Sequence, residues 1–227
     1  MLVFDNLSVD LAGAPILRNV TAELKAGTTV AVVGRNGAGK TTLLRATMGF
    51  LKPKSGRILF DDDELHHLPA HWRAEQGIGY APEDRVIFPT LTVEENLRLP
   101  CEAHGLKDRD IDDRLQSVLE VVPQLREMLP RSGAALSGGQ GKMVALGRAL
   151  MAGTRLVLLD EPFQGLAPVL AMQYAEALSR LRTLRPDLCV VITESNASLL
   201  KHVPTTRLTL ERGALTQALH EAQPASH

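Results

Sequence analysis

The sequence predicts an α/β fold built on a mostly parallel sheet, and three observations carry that prediction. The runs Thr29-Val30-Ala31-Val32-Val33, Leu156-Val157-Leu158-Leu159 and Cys189-Val190-Val191-Ile192 are continuous and apolar rather than alternating, as strands covered on both faces are. The first two lead into helical patterns, residues 41–48 and Pro168–Leu184, as strand and crossover helix do in parallel sheets. Between Val33 and the first helix, Gly34-Arg35-Asn36-Gly37-Ala38-Gly39-Lys40-Thr41 matches in full the phosphate-cradling loop G-x-x-x-x-G-K-[ST].

Each element follows from its own residues. Alternation over residues 3–11 and 20–24 predicts two strands with a turn at Gly13, Ala14 and Pro15, forming a small antiparallel layer over a nucleotide. In the loop, Gly34, Gly37 and Gly39 let the backbone bring successive N–H groups to a triphosphate, an approach that a Cβ would obstruct. Lys40 is expected to reach the β- and γ-phosphates, and the Thr41 hydroxyl to ligate Mg²⁺. Arg35, Asn36, Ala38 and Thr42 complete the candidate contacts of the loop.

Residues 56–60 read as a further strand, closed by Asp61-Asp62-Asp63 in a solvated turn. His66, His67 and His71 are expected at the surface, since no second cluster at metal spacing accompanies them. Residues 77–80 read as a core strand that leaves through an extended loop at Pro82. Thr92 and Glu95 form a capping box, and Ile111, Leu115, Val118, Leu119 and Val122 mark the apolar face of a second helix. A helical lobe is thus inserted into the sheet.

Ser137 is an N-cap and Gln140 completes a second capping box. Gly138 and Gly139 weaken that first turn by about 1 kcal/mol each relative to alanine, so they are expected to admit a close neighbour. A phosphate suits bare N–H groups at a helix N-terminus. The strand 156–161 ends in Asp160 and Glu161, at the edge where ligands of parallel sheets bind. Asp160 is expected to hold Mg²⁺ through water, and Glu161 to orient or deprotonate the attacking water. Residues 208–218 predict a hairpin around Gly213, and residues 221–227 a frayed end.

A chain of 227 residues fits one domain, possibly in two lobes. Its 25 Lys and Arg balance 26 Asp and Glu, so no overall field recruits nucleic acid or anionic lipid, and any membrane contact is expected to run through a protein. Cys101 and Cys189 are expected as buried free thiols in a reducing cytoplasm. No apolar run approaches a spanning helix and no leader pattern opens the chain, so a soluble, unexported protein is expected.

With the phosphate loop, the Leu136-Ser137-Gly138-Gly139-Gln140 signature and the 156–161 strand in order, the chain resembles the ATP-binding subunit of ABC transporters along nearly its whole length. Residues 80–85, 87–97 and 160–168 look most like the shorter ATPase of branched-chain amino acid importers, with urea and amide importers similar. The resemblance implies a P-loop NTPase (RecA-like) fold in one ATPase domain. Residues 1–83 and 153–218 would be the core with its β layer, 84–152 the helical lobe and 219–227 a tail.

It also implies that ATP and Mg²⁺ bind, with Thr41, Asp160 and Glu83 at the metal and Glu161, Lys40 and Ser195 in catalysis. In a head-to-tail dimer, one chain's Ser137, Gly138, Gly139 and Gln140 would cap ATP on the other's loop. The expected partners are transmembrane permease subunits, a second ATPase that completes a heterodimer rather than a homodimer, and, indirectly, a periplasmic or extracellular solute-binding protein. No nucleic acid is implied. The chain would lie peripherally on the cytoplasmic face of the membrane.

Three residues depart from the family pattern. Leu11 stands where an aromatic usually stacks on adenine, Glu83 replaces the usual loop glutamine, and Ser195 replaces the switch histidine, which implies a slow site dependent on Glu161. Lipid or lipopolysaccharide transport, a soluble ATPase acting on ribosomes or DNA, and a weakly hydrolysing regulatory subunit are the rival functions. One cassette without a basic patch or heptads disfavours the second, and intact Lys40, Asp160 and Glu161 disfavour the third.

Overall fold

The computed structural model describes residues 1–61, 63–84, 87–203 and 205–221, the last five as backbone only. β1 (Leu2–Leu11) and β2 (Ala14–Leu24) form an antiparallel hairpin. β3 (Thr29–Val33) opens a second sheet and runs through the glycine-rich loop into α1 (Lys40–Thr47). β4 (Ser55–Phe60) and β5 (Asp63–Glu64) return to the first sheet, whose order is β2-β1-β4-β5. A short α2 (Ala70–Glu75) precedes β6 (Ile78–Ala81), and then come α3 (Val93–Ala103), α4 (Asp108–Val121) and α5 (Gly138–Ala152). β7 (Leu156–Asp160), α6 (Pro168–Leu184), β8 (Cys189–Glu194), β9 (Thr206–Glu211) and β10 (Ala214–Glu221) complete the second sheet. Its order is β10-β9-β3-β8-β7-β6, parallel throughout except for β10 on β9.

The continuous apolar runs are explained by two cores, one on each face of this sheet. Val157, Leu159, Val190 and Ile192 join the core shared with α3, α4, α5 and α6. Their neighbours Leu156, Leu158, Cys189 and Val191 face the other way, into the core shared with α1 and the antiparallel sheet. On the helical side, a Cβ at Gly147 would meet Leu97 at 2.7 Å and Leu125 at 2.8 Å, so the missing side chain lets the helices close around α5. Both cysteines are buried free thiols. No helix among the described residues is long and apolar enough to cross a membrane.

The alternation underestimated several elements. The first hairpin turns at Ala12 and Gly13, and β2 begins at Ala14 with Pro15 inside it, which an edge strand tolerates. Within the acidic turn, Asp61 pairs with the N-terminal amine and Arg155, and Asp63 belongs to β5. Asp62 lies outside the described residues. His67 is exposed as expected, but His66 is mostly covered, and their Nε2 atoms lie 3.3 and 3.8 Å from the Glu64 carboxylate. β10 runs to Glu221, past the expected end of the hairpin; the tail beyond it lies outside the described residues.

Candidate active site

Register brings the chemistry to one edge of the sheet. Val33 lies opposite Glu194 and Asp160 opposite Thr193, so the carboxyl ends of β3, β7 and β8 converge where α1 begins. Gly39, the N-cap of α1, lies in the left-handed region (φ 107°) and offers no side-chain cap, which leaves the first-turn N–H groups without partners inside the helix. That is a cradle for phosphate oxygens.

The three loop glycines serve different ends. A Cβ at Gly34 would strike the Leu210 carbonyl at 2.3 Å, and one at Gly39 would meet Leu17 at 2.8 Å, so both are set by packing against the surrounding strands. Only Gly37, at φ 81° with open space around its Cβ position, matches the expected open approach to a ligand. Gly139, like Gly34 and Gly39, is closely packed: a Cβ there would meet Leu170 of α6 at 2.3 Å and Leu166 at 3.2 Å.

Lys40 turns back into its own loop. Its Nζ donates to the carbonyls of Gly34 (2.7 Å) and Arg35 (3.2 Å) and lies 3.0 Å from Glu161 Oε1. Thr41 Oγ1 donates to Asp160 Oδ1 at 3.2 Å, Thr193 Oγ1 to the same oxygen at 2.6 Å, and Tyr80 to Asp160 Oδ2 at 3.3 Å. Burial pushes the Asp160 carboxyl up despite these three hydroxyls. A hydroxyl and a carboxylate side by side are hard oxygen donors and fit Mg²⁺.

Glu161 follows β7 at φ 47°, a left-handed conformation that is costly outside glycine. Its N–H donates to the Thr193 carbonyl at 3.1 Å, and its own carbonyl accepts Lys142 Nζ from α5 at 2.6 Å. Oε2 accepts both the amide and the hydroxyl of Ser195, each at 3.1 Å. Burial would raise this carboxyl, but Lys40 and the Ser195 hydrogen bonds outweigh it and hold Glu161 below the usual carboxylate range.

Glu83 follows β6 and lines a cleft of about 540 Å³ with Thr41, Tyr80 and Asp160, its carboxyl raised by burial and by the nearby Asp160 and Glu161. Leu11 is exposed at the end of β1, on the hairpin whose Ile16 and Leu17 pack beside the loop at Gly39. Ser137 and Gln140 form the expected capping box at the start of α5. Among the described residues no hydrogen bond or ion pair joins residues 137–140 to residues 34–42. Tyr80, Lys142, Thr193 and Glu194 were missed from sequence. Only the polar end of β8 carried a local signal, a Thr-Glu pair where an apolar strand reaches the ligand-binding edge.

Comparison with known proteins agrees with this geometry. A family model described as ABC transporter matches residues 17–164. The chain is 38% identical over 218 residues, 95% of its length and 91% of the relative's, to the high-affinity branched-chain amino acid transport ATP-binding protein BraG of Pseudomonas aeruginosa. It is 34% identical over 198 residues, 86% of its length and 80% of the relative's, to the lipopolysaccharide export system ATP-binding protein LptB of Escherichia coli (strain K12). A solved structure described as the ATP binding subunit of an ABC transporter superposes with a TM-score of 0.80 at 28% identity, covering 95% of this chain and 88% of that one. The phosphate loop opening α1, the acidic end of β7 and relatives that match nearly end to end together place this chain in the ABC transporter family, as one of its ATP-binding, ATP-hydrolysing cassettes.

Proposed function

We propose that this ATPase powers an importer for branched-chain amino acids or a related small polar solute, bound to the cytoplasmic face of the membrane through permease subunits. The similarity to BraG over nearly the whole of both chains supports the solute class. The observation that carries the chemistry is Glu161, held on one side by Lys40 and on the other by Ser195 at the mouth of the phosphate loop.

In this account ATP lies on the open first turn of α1, with residues 34–42 around its phosphates and Leu11 against the base. Lys40 leaves Glu161 for the β- and γ-phosphates. Thr41 and Asp160 would hold Mg²⁺, with Glu83 nearby, and the bound ion would supply charge neutralisation at the phosphates. Glu161, freed on Oε1 and still held by Ser195 on Oε2, accepts a proton from the attacking water. The new bond to γ-phosphorus forms as the bond to the β-phosphate oxygen breaks, and ADP carries away the electron pair. Ser195 therefore acts through Glu161 rather than on the phosphate.

That the signature makes no hydrogen bond to the loop within one chain, among the described residues, supports a head-to-tail dimer, in which Ser137, Gly138, Gly139 and Gln140 of a second cassette close the site. A related but different cassette is the favoured partner, and a solute-binding protein would act on the far side of the permeases. The similarity to LptB favours a second function, lipopolysaccharide export, in which the same site drives a different membrane partner.

Co-purification from membranes separates the two. Import predicts that the tagged chain brings down permease subunits and a second cassette, and that the reconstituted complex takes up labelled leucine on addition of MgATP. Recovery of lipopolysaccharide-extracting partners, without ATP-dependent leucine uptake, would contradict import.

A further inference from the structure

Glu194 is a carboxyl that the chemistry above does not use. It ends β8 with no solvent exposure, one residue before Ser195. Oε1 accepts the Phe163 amide at 2.8 Å, while Oε2 has no hydrogen-bond partner among the described residues. Burying such a group is costly unless it secures something. What it secures is the turn after β7, where Glu161 stands in its left-handed conformation and Phe163 packs edge-on against Tyr174 at 5.3 Å.

The turn is gripped at three points. The Glu161 amide is fixed on Thr193, the Glu161 carbonyl on Lys142, and the Phe163 amide on Glu194. Thr193 and Glu194 are consecutive on β8, so one strand end holds the turn on both sides of Glu161. The groups around Glu194 are Glu161, Lys142 of α5, Tyr174 of α6 and the Phe163 amide; burial first, then the Glu161 charge, pushes its carboxyl up to about 7. An acceptor oxygen, not a negative charge, is what the Phe163 amide requires.

We propose that Glu194 is a positioning residue for hydrolysis: by holding the Phe163 amide it fixes the turn that presents the Glu161 carboxylate to the attacking water. This rests on Glu161 being the general base, and it adds a residue that nothing in the motif set names.

The test compares Glu194→Met, which fills the space without an acceptor, with Glu194→Gln, which keeps the acceptor without the charge, in the complete transporter complex. The methionine variant is expected to lose about tenfold or more in kcat while KM for ATP stays within about threefold, and the glutamine variant to recover to within about threefold of the parent. A role in folding alone would lower the amount of active complex without separating methionine from glutamine. The proposal is overturned if the methionine variant turns over like the parent, if glutamine is as slow as methionine, or if KM rises in step with the loss of kcat. Should the methionine variant not assemble, Glu194→Thr, too short to reach the amide, takes its place with the same expectations. Glu161→Gln serves as the control: if that complex still hydrolyses ATP, the assignment of the base has failed, and not the role of Glu194.

Discussion

Lys40 and Glu161 form a buried ion pair at 3.0 Å, each side chain 5% exposed, across the site that ATP phosphates must enter. The ammonium cannot serve the carboxylate and the phosphates equally, so nucleotide binding is an exchange of partners for Lys40. Glu161→Gln removes the competing charge and should tighten ATP binding by about fivefold, since a close charge pair of this kind contributes on the order of 1 kcal/mol after solvent competition. Titration of a fluorescent ATP analogue onto the two proteins measures this, and weaker binding by the glutamine variant would contradict it.

Arg73 fastens the far end of the phosphate-binding helix. It is 2% exposed and donates to the carbonyls of Ala46 (2.7 Å), Thr47 (2.8 Å) and Leu68 (2.9 Å), so a cation caps the C-terminus of α1. Burial lowers its pKa to about 10, which leaves it charged at neutral pH. Arg73→Met removes three hydrogen bonds of a buried cation, leaves the Thr47 carbonyl without its donor while Ala46 keeps the Gly49 amide, and is expected to cost about 3 kcal/mol, read as a fall of roughly 6–12 °C in melting temperature. A melting temperature unchanged by the substitution would show that the caps are dispensable.

Burial of Glu194 raises its carboxyl and so implies a pH dependence of stability. Its carboxyl titrates near the usual 4.5 when unfolded and is raised to about 7 when folded, so the folded chain binds the extra proton and its stability falls as pH climbs through that window. Glu194→Gln does not titrate. Its advantage over the parent should be small at pH 4.5 and grow to on the order of 3 kcal/mol above pH 7, seen as diverging melting temperatures. A gap that stays constant with pH would refute the shift.

Ser195 makes two bonds to Glu161, and only one comes from its side chain. Ser195→Ala keeps the amide and loses the hydroxyl, so kcat should fall about three- to tenfold with KM nearly unchanged, the signature of a looser base. A rise in KM with kcat intact would instead place the hydroxyl on the bound nucleotide.

What was legible in the sequence was local. The strand, loop and helix at residues 29–47 and the paired acids at the end of β7 are spelled out by consecutive residues, and both capping boxes lie within four positions. The contacts that tune the site are not local. Lys40 meets Glu161, and Tyr80 meets Asp160, only because β3, β8, β7 and β6 lie side by side in that order, which no short window of sequence encodes. Asn96 shows the same blindness: it reads as a polar residue in a capped helix, yet it is wholly buried and binds both the amide and the carbonyl of Phe88. The glycines at 34 and 139 carry a constraint that the sequence does not separate from ligand binding, since a missing side chain looks alike whether a ligand, a strand such as β9 or a helix such as α6 needs the room.

The most direct test is steady-state ATP hydrolysis by the purified transporter complex carrying either the parent cassette or Glu161→Gln. If the carboxylate between Lys40 and Ser195 is the base, turnover falls by about a hundredfold or more while ATP remains bound. Turnover by the glutamine variant within twofold of the parent would contradict the account.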